Sequence, residues 1–239
     1  MLAAVFVWPV ATSVTASFTR EGAFSLANYE TVWRLYTRDV VYTLGVATAA
    51  TLLTFAATVP VCGWLRVRAF GPVEFLLKVP LFVPFVVVGH ALRVFLSPYA
   101  PGLSASWGGL ALALAWKHAG LAALLLLGAF RGVDEHYLEA ARNVGASTAR
   151  LTRDILLPMA APAVGVSAVL IFSSMLASFS IPLMMSRGSG PQMLMIDVYY
   201  RFGQHGDFAT ASALGVVAYL LAMGAALVYV RRLTSGRHG

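Results

Sequence analysis

The stretch EAARNVGASTARLTRDILLP, Glu139 to Pro158, decides how the chain is read. It holds five charged side chains, Glu139, Arg142, Arg150, Arg153 and Asp154, in a chain of 239 residues that is otherwise poor in charge. Charged residues are 11% and hydrophobic residues 59% of the whole, and the mean hydropathy is +0.77. Soluble domains carry about 25% charged residues. A chain this apolar cannot cover a water-facing surface, so the expected solvent is a bilayer, and the stretch is a polar insert between two hydrophobic spans.

Six segments approach the roughly 20 apolar residues that a spanning helix needs. They run from about Leu2 to Phe18, Val40 to Leu65, Phe75 to Leu96, Trp107 to Phe130, Met159 to Met185 and Phe208 to Val230. The expected fold is all-α, an integral membrane bundle of about six transmembrane helices forming a single domain, 1–239. The first segment lacks the basic start of a signal peptide. It reads as a first membrane helix whose leading segment is very short or lies outside this sequence.

The net charge of +7 and the pI of about 9.9 follow from topology. With the insert on the cytoplasmic side, Arg66, Arg68, Lys78, Arg131, Arg142, Arg150, Arg153, Arg231, Arg232 and Arg237 fall on that side. Arg20, Arg34, Arg38, Arg187 and Arg201 fall outside. Ten against five obeys the positive-inside rule. The C-terminus is then cytoplasmic too, and no basic patch points to nucleic acid. The single cysteine, Cys62, lies in an apolar run and reads as a small core residue.

The insert itself predicts two helices. DEHYLEAARN, Asp134 to Asn143, begins acidic and ends basic, as the helix dipole favours. Tyr137, Leu138 and Ala141 are spaced to share a face. Gly145 is a helix stop, and Ser147 or Thr148 is placed to cap a second helix leading to Pro158. The outer connections carry an amphipathic ANYETVWRLY, Ala27 to Tyr36, and an interfacial MLMIDVYYRF, Met193 to Phe202. Pro80 and Pro84 fall in the third span, Pro162 and Pro182 in the fifth. They either kink helices to open a path or simply reflect the commonness of proline in membrane helices.

The insert resembles the conserved loop of permease subunits in binding-protein-dependent ABC importers, which reads EAA, three residues, G, nine residues, I, one residue, LP. Glu139, Ala140, Ala141, Gly145, Ile155, Leu157 and Pro158 match every spacing. The resemblance implies a type I importer permease fold in the cell's inner, cytoplasmic membrane. It implies that the loop, about 131–158, is a coupling helix seated in a cytoplasmic ATPase. Glu139 would orient that helix or pair with a basic ATPase group. Ala140 and Ala141 would allow close approach, Gly145 would supply the turn, and Ile155, Leu157 and Pro158 would anchor the second helix. The implied partners are an ABC ATPase dimer, a second permease (the same or a related chain), an extracellular or periplasmic substrate-binding protein, and membrane lipid. ATP and Mg would be bound by the ATPase. No cofactor is expected in this chain, which carries no G-x-x-x-x-G-K-[ST] loop and no catalytic constellation.

Ionisable groups inside a membrane mark a path or find partners. His90 and Arg93 in the third span, and Lys117 and His118 in the fourth, are the translocation-path candidates. Arg93 snorkelling to the interface and Lys117 on a backbone carbonyl are the structural alternatives. No metal site is expected, because no ligand cluster accompanies either histidine. No carboxylate lies well inside a span, which favours a small polar, preferably anionic, solute. Sugar permeases often carry an aspartate where Val144 stands. The loop and SFSIPLMM, Ser178 to Met185, look more like the permeases for polyamines, iron, thiamine, phosphonates, sulfate or molybdate. A gradient-driven secondary transporter is the competing reading, and a membrane scaffold or sensor a third. Neither accounts for the insert.

Overall fold

The computed structural model describes residues 2–104, 106–185 and 190–235. Arg187 and Arg237, assigned above to opposite sides, lie outside the described residues.

The chain opens with helix α1, Leu2–Ser17, whose 16 residues fall short of a full span, so the six expected spans become at most five among the described residues. A small antiparallel hairpin, β1 (Thr19–Arg20) with β2 (Ala23–Phe24), turns it into α2. Helix α2, Ala27–Arg68, is one element of 42 residues. The expectation of a separate amphipathic helix ahead of the second span is thereby corrected. No glycine or proline stands between Tyr36 and Val40, so nothing stops the helix. At 1.5 Å per residue it is about 63 Å long, roughly twice the thickness of a bilayer's hydrocarbon core.

The third expected span is not one helix. Helix α3, Gly71–Phe82, and α4, Phe85–Tyr99, meet at 104°. Pro84 forces Val83 into extended backbone (φ −80°, ψ 126°), and the chain restarts as α4. A one-turn α5, Pro101–Ser104, leads to α6, Trp107–Arg131, capped at its start by Ser106. The insert follows as α7, Glu135–Asn143, and α8, Thr148–Arg150. A π-helical stretch, Leu151–Leu156, continues α8 into α9, Leu157–Met159.

Helix α10, Ala161–Leu176, then turns off at 83°. The fifth span is therefore also interrupted. It begins after the bend at Ala160, with Pro162 in its first turn, and ends well before α11, Ser180–Met185. Helix α12, Leu194–Tyr199, and a π-helical stretch, Tyr200–Gln204, precede α13, Phe208–Ser235. Leu194, Ile196 and Asp197 are buried, so this segment packs into the bundle instead of floating at an interface. Among the described residues, three helices are long and apolar enough to cross a membrane, and five spans result if each bent pair counts as one.

Helices α2 and α6 form the central pair. Their contact is built from buried small residues, Ala47, Ala50, Thr54 and Thr58 against Ala111, Ala115 and Ala122. Small side chains let the two backbones approach, the usual packing device between helices in lipid. Two apolar clusters flank this pair. One holds Val46, Leu114, Ile171, Met175 and Ile181 around the middle of α2. The other holds Cys62, Leu65, Leu126, Leu127 and Phe130 toward its end, and the insert packs on that one. Val41, Leu52, Leu124, Leu170, Leu220 and Leu227 point outward, as a lipid-facing exterior requires.

Candidate functional site

The insert folds as expected in outline, and each of its turns has a local cause. Asp134 caps α7 by accepting from the His136 backbone N–H at 3.0 Å. At the other end the Ala146 N–H donates to Ala141 O at 3.0 Å and the Gly145 N–H to Arg142 O at 2.8 Å. This pair of bonds is the Schellman stop, and its αL residue is Gly145 at φ +82°. An ideal Cβ there would meet no atom within 4 Å, so the backbone angle, and not crowding, demands glycine. Ser147 caps α8.

Ile155 and Leu157 of the motif pack against the apolar cluster at this end of α2, and three leucines outside the motif are buried more deeply there. Leu138, Leu151 and Leu156 are fully buried against Leu65, Leu126, Leu127 and Phe130. Burying each such leucine contributes about 1.5–3 kcal/mol. Ile155 and Leu157 are half-buried and Pro158 is exposed. The π-helical stretch explains the shift. The Leu157 N–H bonds to Thr152 O, five residues back, which brings Leu151 and Leu156 onto one side. A period of 3.6 could not reveal this. Tyr137 is exposed, so it does not share the face of Leu138 and half-buried Ala141.

The remaining surface of α7 is turned outward. Glu139 is 58% exposed and has a weak contact, 3.8 Å, to the more exposed His136. Ala140 is exposed, and Val144 is 85% exposed, an apolar side chain presented by a polar segment. Among the motif residues of the first half of the insert, Gly145 and Ala141 shape the loop, whereas Glu139 and Ala140 are exposed, next to Val144 at the C-cap of α7.

Close contacts fasten the insert to α2. An ideal Cβ on Gly63 would lie 2.1 Å from Thr152 Oγ1, so only glycine lets the π-helical stretch sit this near the helix. Arg66 donates from Nε to Phe130 O at 2.9 Å and from Nη2 to Val133 O at 3.1 Å. Its Nη1 meets Glu135 Oε2 at 2.5 Å. Sequence reasoning missed these residues, because nothing in the sequence pairs Arg66 with a residue on another helix.

The four basic candidates within the bundle separate clearly. Lys117 Nζ donates to Pro80 O at 2.7 Å, Leu81 O at 3.3 Å and Val83 O at 2.7 Å, and sits 4.5 Å from the centre of the Phe85 ring. These carbonyls are freed where α3 ends, and an ammonium has three donors to offer them. The backbone-carbonyl alternative for Lys117 is the one observed. His118 Nδ1 faces Leu114 O at 2.8 Å and must carry the proton. Nε2 then accepts from the Ser174 hydroxyl at 3.1 Å. Arg93 is half-buried and donates to Met184 O at 2.8 Å, and His90 is exposed on α4. Lys117 and His118 therefore hold the bundle together, while Arg93 and His90 lie along α4.

At the opposite end of α2, Asp39 Oδ1 accepts from the Gln192 N–H at 2.7 Å and Thr43 Oγ1 from the Leu194 N–H at 2.9 Å. Gln192 Nε2 donates to Asp197 Oδ1 at 2.6 Å. Asp197 Oδ2 is buried and has no hydrogen-bond partner among the described residues. Burial, and then the Asp39 charge, push the Asp197 carboxyl up to about 7 against the lowering effect of Gln192.

Known proteins share both the sequence and this architecture. A glucose import system permease protein of Saccharolobus solfataricus is 28% identical over 163 residues, 66% of this chain and 56% of that protein. The chain thus spans little more than half of that relative. A probable molybdenum ABC transporter permease protein of Haloferax volcanii is 28% identical over 233 residues, 93% of this chain and 83% of that one. Relatives of both the sugar and the molybdenum kind therefore match, and the expected subgroup is not singled out. The fold matches a chain of a bacterial alginate ABC transporter, solved in complex with its alginate-pentasaccharide-bound periplasmic protein. The TM-score is 0.78 at 17% identity, covering 98% of this chain and 91% of that one. Residues 54–235, which include the whole insert and both of its contacts on α2, match the binding-protein-dependent transport system inner membrane component family, and the chain belongs to it.

Proposed function

We propose that the chain is the permease subunit of an ATP-driven importer, with α7 as its coupling helix. The observation that carries this reading is the outward face of Glu139, Ala140 and Val144 on a short helix whose other side is locked to the bundle by Leu138. A helix held on one side and bare on the other is built to receive a partner. On this reading the insert lies in the cytoplasm of a cell with this chain in its inner membrane, an orientation that the ten-to-five arginine and lysine bias supports. An ABC ATPase dimer binds there and holds the ATP and Mg, and this chain performs no chemistry. A second permease, a copy or a relative, completes the path, and a binding protein delivers solute on the far side.

The solute is a small polar nutrient, with an anion favoured. The molybdenum-type relative aligns over nearly the whole chain, and Arg93 and His90 are the basic groups on α4. Lys117 lends this no support, since its donors are spent on carbonyls.

Uptake into vesicles loaded with ATP, measured with the partner ATPase and binding protein present, tests the proposal. Uptake should need ATP hydrolysis and persist when ion gradients are collapsed. Uptake that ignores ATP and stops with the gradient would favour a secondary transporter.

A further inference from the structure

The motif carboxylate, Glu139, points away from the bundle, so it cannot fix how α7 sits. Another carboxylate does. Glu135 Oε2 meets Arg66 Nη1 at 2.5 Å, and Glu135 Oε1 meets Arg142 Nη1 at 3.3 Å. Each arginine is anchored elsewhere as well. Arg66 holds Phe130 O and Val133 O, and Arg142 Nη2 donates to Val67 O at 3.3 Å. One carboxylate is therefore shared by two guanidinium groups that are rooted in the ends of α2 and α6.

We propose that Glu135 is the positioning residue of the coupling helix: divided between Arg66 and Arg142, it makes α7 and the adjoining ends of α2 and α6 move as one body. This rests on the importer reading above. A load applied to the outward face of α7 reaches the bundle by two routes. One is Leu138 in its apolar pocket, which resists pushing but is non-directional. The other is the clamp, whose oriented charge-assisted bonds also resist sliding and rotation of α7 along the bundle. Without the clamp, α7 stays attached through Leu138 yet turns under load, and motion is lost before it reaches α2.

The side chains of Arg66, Glu135 and Arg142 are 14%, 42% and 37% exposed. Glu135 and Arg142 are screened by water, and Arg66, although mostly buried, keeps Phe130 O and Val133 O as partners when Glu135 is removed, so the clamp holds little of the fold's stability. Removing Glu135 should therefore disturb geometry without unfolding the protein.

The test uses the complete importer, reconstituted with its ATPase, second permease and binding protein, and compares Glu135→Gln, Glu135→Ala, Arg142→Ala and the Glu135→Ala/Arg142→Ala pair. Two readouts are taken: solute imported per ATP hydrolysed, and disulfide crosslinking of Val144→Cys to a cysteine in the ATPase groove. The crosslink should form in every variant, with thermal melting in detergent unchanged. The import-to-hydrolysis ratio should fall about tenfold in each alanine variant, less in Glu135→Gln, which keeps one acceptor. The pair should be no worse than either single variant, because both cut the same clamp. A normal ratio in Glu135→Ala, or losses that multiply in the pair, would overturn the proposal while leaving the importer reading intact. Absence of the crosslink even with Glu135 in place would overturn both.

Discussion

The two ends of α2 are fastened by opposite electrostatic strategies. At the insert end, Arg66 and Arg142 share the carboxylate of Glu135, and opposite charges meet in partly hydrated surroundings. At the far end, two carboxylates are joined through one residue, Gln192, whose backbone N–H donates to Asp39 and whose side-chain amide donates to Asp197, and Asp197 is 5% exposed. Complementary charges that stay close to water cost little to desolvate. Two like charges on one glutamine, one of them on a buried carboxyl, cannot both stay ionised cheaply, so that end responds to protons. One helix about 63 Å long thus joins a contact between opposite charges to one that senses protons. A part that receives mechanical load has to keep one geometry, whereas a loop that closes over the far end is free to be conditional.

The largest effect is expected from breaking the insert end at its turn. Gly145→Asp forces a side chain into φ +82°. It also adds a negative charge at the C-terminal end of α7, where the dipole disfavours it. Uptake should fall at least tenfold while the protein remains in the membrane, measured by uptake and by quantifying the chain in membranes. Glu139→Lys, which leaves the fold alone and reverses the charge of the outward face, should uncouple transport similarly. Normal uptake by both at normal expression would show that this end carries no load.

Between the two ends, Lys117→Met should leave the carbonyls of Pro80, Leu81 and Val83 unpaired at the break between α3 and α4. The loss of these charge-assisted bonds should cost about 3 kcal/mol or more. The check is thermal melting in detergent, and a melting temperature unchanged from the parent would contradict the capping role.

Gly63→Ala is a smaller blow to the insert end. The added methyl would overlap Thr152, and overpacking of this kind costs about 1–3 kcal/mol. Thr152→Ala should recover part of the loss in the double variant, read in the same melting assay. Equal, independent losses would mean that the two residues do not press on each other.

The last effect, read as a slope with pH and not as a loss of function, sharpens the far end. The Asp197 carboxyl is raised from 3.8 to about 7, so the folded protein keeps this proton where the unfolded chain has released it. Its contribution to stability is complete below about pH 4, declines as the pH rises toward 7, and is flat above that. Asp197→Asn should remove this decline and be at least as stable as the parent at pH 8. A parent and variant with parallel melting profiles from pH 5 to 8 would place the proton elsewhere.

How much of this was legible in the sequence follows from the range of each interaction. The insert was readable because its signals are local: Asp134, Gly145 and Ser147 act on backbone groups within three residues. The spans were readable because hydropathy needs no partner. The break at Val83 was announced only as two prolines, and nothing in the sequence distinguishes a mild kink from a bend of 104°. That choice depends on Lys117, 34 residues away from Val83, being there to take the freed carbonyls. The long α2 was hidden because a change in composition near Asp39 looked like a change of element. Glu135 with Arg66, Gly63 with Thr152 and Asp39 with Gln192 are pairs that only folding brings together. The motif pointed to Glu139, and the structure assigns the inward contact to Glu135, one turn earlier on the same helix.

The central claim is that the outward face of α7 is occupied by an ATPase. The most direct measurement is to purify the tagged chain from native membranes, in mild detergent and with crosslinking, and to identify its companions by mass spectrometry. The account predicts an ATPase chain with a phosphate-binding loop, together with a second permease or further copies of this one. A stable chain recovered alone, with no ATPase even after crosslinking, would contradict it.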